Sequence, residues 1–125
     1  MGILVMKTRM RTLLFILLLS LVIQSSFAIS PDGEALLSFK AAIVRSNGDL
    51  LQWKEEDPDP CRWNGVRCDP TKRVISLILP HRKLMGPISP DIGKLNSLNV
   101  LDLRYNALYG IIPPELGNCT LLKSM

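Results

Sequence analysis

The chain has 125 residues and a net charge of +4 at pH 7, enough for one small domain and a targeting segment. Lys7, Arg9 and Arg11 hold three of those charges; without them 12 basic residues face 11 acidic ones, so no basic stripe argues for nucleic acid. One histidine and three cysteines make no cluster fit for a metal, no cofactor is implied, and one cysteine is left over after any pairing.

The first 28 residues have the three parts of a secretory signal peptide. The basic start is followed by an apolar run from Leu13 to Ile23, and then by Ser26-Phe27-Ala28, with small residues where a signal peptidase reads. Cleavage is expected near Ala28. The alternative is an uncleaved membrane anchor, but the run falls short of the roughly 20 residues a spanning helix needs. A cleaved chain enters an oxidising compartment, where disulfides persist.

Residues 29–73 read as a cap. Ser30 can accept from early backbone N–H groups, and Pro31 suits the first helical position. Asp32 and Glu34 place negative charge at the positive end of the helix dipole. Leu36, Phe39 and Ile43 then share one face, and Asn47-Gly48 is the expected stop. The apolar stripe calls for a partner, and the nearest candidate is the flank of the first repeat. Glu55 to Pro60 is acidic and broken by prolines, so it is expected as a solvated linker.

Cys61 and Cys68 bracket a loop that holds Trp63 and an Asn64-Gly65 turn signal. In a secreted chain the economical reading is a disulfide that pins this loop over the first strand and turns Trp63 inward beside Trp53. A redox role would call for the tighter C-x-x-C spacing.

From Val74 onward the chain repeats. Val74, Leu77, Leu79, Leu84 and Ile88 stand at the spacings of Leu98, Leu101, Leu103, Leu108 and Ile112. Gly86 and Gly93 match Gly110 and Gly117, and Leu122 opens a third copy. A fixed period between about 20 and 29 residues with L-x-x-L-x-L spacing marks a leucine-rich repeat. Repeat 1 is residues 74–97, repeat 2 is 98–121, and 122–125 begin a third. The inward set of the second copy is Leu98, Leu101, Leu103, Leu108, Ile112, Leu116 and Cys119, the last as a buried thiol. Asn106 sits where the coil turns and can satisfy its backbone groups. Arg82 holds that place in the first copy, which marks an atypical first turn against the cap. The Gly-x-Ile-Pro segments suit short extended pieces or 3₁₀ turns on the convex side.

The outward strand positions are Ser76, Ile78, Pro80 and His81, then Val100, Asp102, Arg104 and Tyr105. In a solenoid these line the concave surface used for partners. Ser76, Ile78, His81, Val100, Asp102, Arg104 and Tyr105 are the candidate partner-binding residues, to be weighed against plain solvated strand positions. His81 has no nucleophile or orienting group identifiable beside it, so a hydrolytic role is unsupported. Asn118-Cys119-Thr120 is an N-glycosylation acceptor that requires Asn118 outside and Cys119 inside.

The fold class is thus an α/β-type leucine-rich-repeat solenoid fragment: a helical cap, about two plant-type repeats with short parallel strands, and no C-terminal cap. One coil cannot offset its own ordering entropy, so about three copies and two caps are the norm. The expectation is a marginal domain with an exposed apolar flank at its C-terminal edge. A truncated product, a gene-model fragment or a chain that borrows a partner's repeats would each look like this.

Ser30-Pro31-Asp32-Gly33-Glu34-Ala35-Leu36-Leu37-Ser38-Phe39 and Pro60-Cys61-Arg62-Trp63-Asn64-Gly65-Val66-Arg67-Cys68 resemble the plant leucine-rich-repeat N-terminal cap. Gly110-Ile111-Ile112-Pro113-Pro114-Glu115-Leu116-Gly117-Asn118-Cys119 is similar to the plant-type repeat. Together they look like the start of a plant leucine-rich-repeat receptor-like kinase, with the FEI-type group as the nearest resemblance. That resemblance implies an extracellular module for a protein or peptide ligand or a co-receptor, secreted or held at the outer face of the plasma membrane. It implies membrane contact only through a missing C-terminal part or an uncleaved leader. No Gly-rich loop, H-R-D or D-F-G is present, so kinase activity maps to no position here. The alternative is a stand-alone secreted regulator, inhibitor or co-receptor.

Overall fold

The computed structural model describes residues 28–123 together with Thr12, Leu13 and Ile16. The expected signal peptide therefore lies outside the described residues, apart from those three and Ala28. Among the described residues no helix is long and apolar enough to cross a membrane.

Helix α1 spans Pro31–Ala42. Ser30 Oγ accepts from the Gly33 N–H at 3.2 Å, and Pro31 occupies the first turn, as the sequence predicts. Ala35, Leu36 and Phe39 are buried. The helix ends short of Asn47-Gly48 because the next residues find sheet partners. The Val44 N–H donates to the Met85 carbonyl at 2.7 Å, and the Met85 N–H donates to the Arg45 carbonyl at 2.8 Å. Gly86 makes this approach possible: its φ is +139°, and a Cβ there would lie 2.6 Å from the Ala42 carbonyl oxygen. Gly48 opens a 3₁₀ turn, Asp49–Gln52, instead of closing the helix.

Strand β1 (Val66–Cys68) pairs antiparallel with β2 (Val74–Ile78). β3 (Met85–Gly86) follows, then a 3₁₀ turn, Pro90–Lys94. β4 (Val100–Asp102) lies parallel to β2, with Ser76 opposite Val100, Leu77 opposite Leu101 and Ile78 opposite Asp102. This is the 24-residue register read from the leucines. β5 (Ala107–Leu108) lies parallel to β3 on the convex side, with Met85 opposite Ala107. That offset of 22 is two short of the repeat, so the faces are kept. A last 3₁₀ turn, Pro114–Asn118, stacks on Pro90–Lys94, and a Cβ on Gly93 would collide with the Glu115 carbonyl.

Val74, Leu77, Leu79, Leu84, Leu95 and Leu98 are fully buried between the two rows, and α1 packs across Pro90–Lys94. Trp53 and Trp63 stack with centroids 5.4 Å apart. Cys61 and Cys68 are joined by a disulfide, with Cα atoms 5.4 Å apart. The bridged segment does not lie over the first strand as expected; its second half is β1 and extends the sheet edgewise. The acidic stretch is also more than a linker. Asp57 Oδ2 accepts from the Trp63 indole N–H at 2.7 Å, and Asp59 Oδ1 accepts from the Cys61 N–H at 3.0 Å. The hydrogen bond to Cys61 holds the Asp59 carboxyl below its usual pKa, although burial opposes it.

Asn106 performs the turn chemistry expected of it, and for the neighbouring coil as well. Its Oδ1 accepts from the N–H groups of Arg82 and Leu84 at 2.9 and 3.1 Å. Its amide donates to the Leu79 and Leu103 carbonyls at 2.8 and 2.9 Å. Arg82 turns instead to the cap, 3.0 Å from Asp49 Oδ2.

Ile112 departs from the expected inward set. It is 61 % exposed, because nothing among the described residues covers the last coil on that side. Leu103 and Leu108 are half-buried for the same reason. An apolar cleft of about 250 Å³ opens there between Ile88, Leu101, Leu103, Leu108, Ile112 and Leu116.

Candidate partner-binding face

Alternation along β2 and β4 sends Leu77 and Leu101 inward and leaves Ser76, Ile78, Val100 and Asp102 on the concave side. Ile78 is exposed; Val100 and Asp102 are half-buried. Ser76 is the correction: it is only 6 % exposed. Its short side chain sits between Arg67 of β1 and Val100 of β4, so it offers a partner almost no area.

Past the strands the chain turns sharply. His81 and Tyr105 occupy equivalent positions with φ of +56° and +59°, a left-handed region costly for bulky side chains. Their rings stack with centroids 4.3 Å apart and planes 10° from parallel. The His81 N–H also donates to the Arg104 carbonyl at 3.2 Å, tying the two turns together. The ladder is exposed, Tyr105 by 69 %.

Arg104 is fixed beside it. Its Nε and Nη2 donate to the two carboxylate oxygens of Asp102, each at 2.9 Å, and its backbone N–H donates to Oδ1 at 3.1 Å. The guanidinium carbon lies 5.9 Å from the Tyr105 centroid, within cation–π range. The Arg104 hydrogen bonds hold the Asp102 carboxyl below its usual pKa, and Asp102 pushes the Arg104 guanidinium up in turn. Arg104 is exposed and Asp102 half-buried, so solvent still screens the pair and its worth is orientation more than stability. The arrangement is a preset aromatic and cationic patch with no nucleophile–base pair.

The structure thus brings His81, Arg104, Tyr105 and Asp102 together and sets Ile78 and Val100 beside them. It also adds Arg67, which the sequence reading passed over. Arg67 stands opposite Ser76 in the β1–β2 register and is exposed on the same face. The hairpin signal was present in Asp69-Pro70, between Cys68 and Val74, but a three-residue strand has too little alternation to be read alone.

Asn118 and Thr120 are exposed, while Cys119 is buried with its Sγ 3.7 Å from the Ile92 carbonyl oxygen. Burial pushes the Cys119 thiol pKa up.

Comparison with known proteins puts this geometry in context. Residues 29–69 match a family model described as a leucine rich repeat N-terminal domain. The LRR receptor-like serine/threonine-protein kinase FEI 2 of Arabidopsis thaliana is 52 % identical over 110 residues, covering 87 % of this chain and 19 % of that protein. The chain therefore spans about a fifth of that relative's length. The region matched is its leucine-rich portion and not a catalytic domain. Among solved structures, the leucine-rich ectodomain of the Arabidopsis receptor kinase HAESA, in complex with an IDA peptide hormone ligand, aligns with a TM-score of 0.64 at 32 % identity. That alignment covers 74 % of this chain and 16 % of that ectodomain chain. A plant ice-binding protein aligns with a TM-score of 0.68 at 35 % identity, over 78 % of this chain and 32 % of its own. One scaffold thus carries unlike functions, and the site has to decide between them.

Proposed function

We propose that this chain, which belongs to the N-terminal leucine-rich-repeat region of the plant receptor-like kinases, is an extracellular recognition module that meets a protein or peptide partner through its concave face. The observation that carries this reading is the exposed His81–Tyr105 stack, braced by the Asp102–Arg104 pair. Rigid aromatic and arginine side chains are what binding hot spots use, because little entropy is lost when they are covered. Ile78 and Val100 complete the patch, and Ser76 serves beneath it as a spacer. The cap, residues 29–73, seals one end of repeats 74–97 and 98–121.

Photo-crosslinking tests the face. A benzoylphenylalanine in place of Tyr105 is expected to capture a defined extracellular protein or peptide, and the same group in place of the exposed Pro87 is expected to capture none. Equal capture from both positions overturns the assignment.

The same reading places the chain outside the cell after cleavage near Ala28, with a glycan on Asn118. Exposed Asn118 and Thr120 flank a buried Cys119, so a sugar there stands clear of both the core and the concave face. A peptide-N-glycosidase is expected to lower the apparent mass of the secreted chain and to leave a Thr120→Ala variant unchanged.

A further inference from the structure

The concave face is one strand wider than two repeats alone provide, and its charges are unevenly spent. Asp102 and Arg104 satisfy each other through two side-chain bonds, so neither is free to pair with a ligand without breaking that pair. His81 and Tyr105 present rings. The free charge on the face is Arg67: it is exposed, it shares a row with Ser76 and Val100, and its guanidinium has no ion-pair partner among the described residues. The surface therefore has an apolar, aromatic end and a cationic end. Neighbouring strands lie about 4.8 Å apart, and the chain rises about 3.3 Å per residue. From β1 across to the turn after β4, the two ends are on the order of 15–20 Å apart, the reach of five or six extended residues.

Resting on the reading of this face as the partner surface, we propose that its ligand is an extended peptide segment with one aromatic or large apolar side chain, seated against the His81–Tyr105 stack, and one carboxylate, seated over Arg67. The Asp102–Arg104 pair lies between these two points. It selects for uncharged residues in the middle of the segment, since a charge there would have to displace a partner already in place. Tyr105 supplies area that is already ordered, and Arg67 supplies direction along the groove.

The test uses the full chain and three capped hexapeptides, each made in both sequence orders. The first carries Asp and Trp at its ends with serines between, the second replaces Asp by Asn, and the third replaces Trp by Ala. Binding is followed by calorimetry and by NMR shifts of the His81 and Tyr105 rings. The first peptide is expected to bind in the sub-millimolar range in one order. Replacing its Trp, or making Tyr105→Asn, is expected to weaken it about tenfold, because aromatic anchors are typically worth more than 1 kcal/mol. Asn is used because it tolerates the left-handed backbone at position 105. Replacing Asp by Asn, or making Arg67→Ala, is expected to cost about three- to fivefold and to remove the dependence on salt.

If the Asn peptide binds as tightly as the Asp peptide while Tyr105→Asn still weakens both, the carboxylate assignment is wrong and the concave face survives. If peptides shift only residues outside the face, or none binds in either order, both are wrong. Unchanged tryptophan fluorescence from Trp53 and Trp63 in each variant shows that the fold is intact and that the loss is one of binding.

Discussion

Asp32 joins the cap to the first repeat, and its removal should be costly in a calculable way. The carboxylate is 2 % exposed. It accepts from Arg73 Nε and Nη2 at 3.0 and 3.1 Å and from the Val74 backbone N–H at 2.9 Å. Asp32→Ala leaves the buried Val74 N–H without an acceptor, which costs about 1–3 kcal/mol. It also removes two charge-assisted bonds, but Arg73 is 43 % exposed and rehydrates once released, so their loss adds only about 1 kcal/mol. The expected total is about 2–4 kcal/mol. Asp32→Asn keeps one acceptor, for Val74 and Arg73 Nε, but loses the charge and sets an amide donor against Arg73 Nη2, for about 1–2 kcal/mol, since the half-exposed Arg73 can turn to water. Urea unfolding followed by tryptophan fluorescence reads this directly, because Trp53 and Trp63 both lie in the cap core. A cycle with Arg73→Ala should show the two sites to be coupled. If Asp32→Ala shifts stability by less than about 0.5 kcal/mol, or no more than Asp32→Asn does, the carboxylate is only a helix-dipole charge and the clamp is not what holds the cap.

Asn106→Asp keeps the acceptor for Arg82 and Leu84 but abolishes the donors to Leu79 and Leu103, and is expected to cost about 1–3 kcal/mol in the same unfolding assay. Arg82→Asn loses only the partly exposed contact with Asp49 and should cost less than about 1 kcal/mol. Cys61→Ser with Cys68→Ser opens a loop of sequence separation 7, and is expected to cost about 2.5 kcal/mol by loop entropy. Urea midpoints measured against pH should show a plateau with two edges. Asp59, Asp69, Asp91 and Asp102 are held below 3.8, so their contribution is full above that value and is lost as pH falls through their lower native values. Cys119 is pushed above 9.0, so the unfolded chain ionises first and stability is lost as pH rises beyond about 9. A midpoint that rises on acidification below about pH 4 would contradict the carboxylate assignments.

What could be read from the sequence is what repeats. Ser76 meets Val100, Leu77 meets Leu101 and Ile78 meets Asp102 because equivalent strand positions touch at a constant separation, and that separation is visible as a period. The contacts that escaped join unlike segments once. Asp32 reaches Arg73, Val44 and Arg45 reach Met85, and Arg82 reaches Asp49. None of these leaves a periodic trace. Asp57 and Asp59 have the composition of a solvated linker, and the one hint of their role was that a buried Trp63 indole needs an acceptor. On the concave face, alternation gave the right side for Ser76 but could not reveal β1 beside it, so its burial and the addition of Arg67 went unseen.

The substitution of Arg82 for the turn asparagine follows from the direction in which Asn106 works. Its oxygen bonds backward, to Arg82 and Leu84 of the coil before it. Each such asparagine therefore completes the preceding turn along with its own. The coil that follows the cap has no preceding coil to serve. At that one position the backward-facing acceptor would meet cap backbone that is already satisfied, with the Asn47 N–H given to the Arg82 carbonyl at 3.1 Å. A side chain long enough to reach Asp49 is more useful there than one that caps a turn. The departure from the repeat at Arg82 is thus set by the boundary between two kinds of structure. The same boundary brings β1 to the edge of the sheet and with it Arg67, so the feature that breaks the repeat pattern also gives the concave face a charge with no ion-pair partner among the described residues.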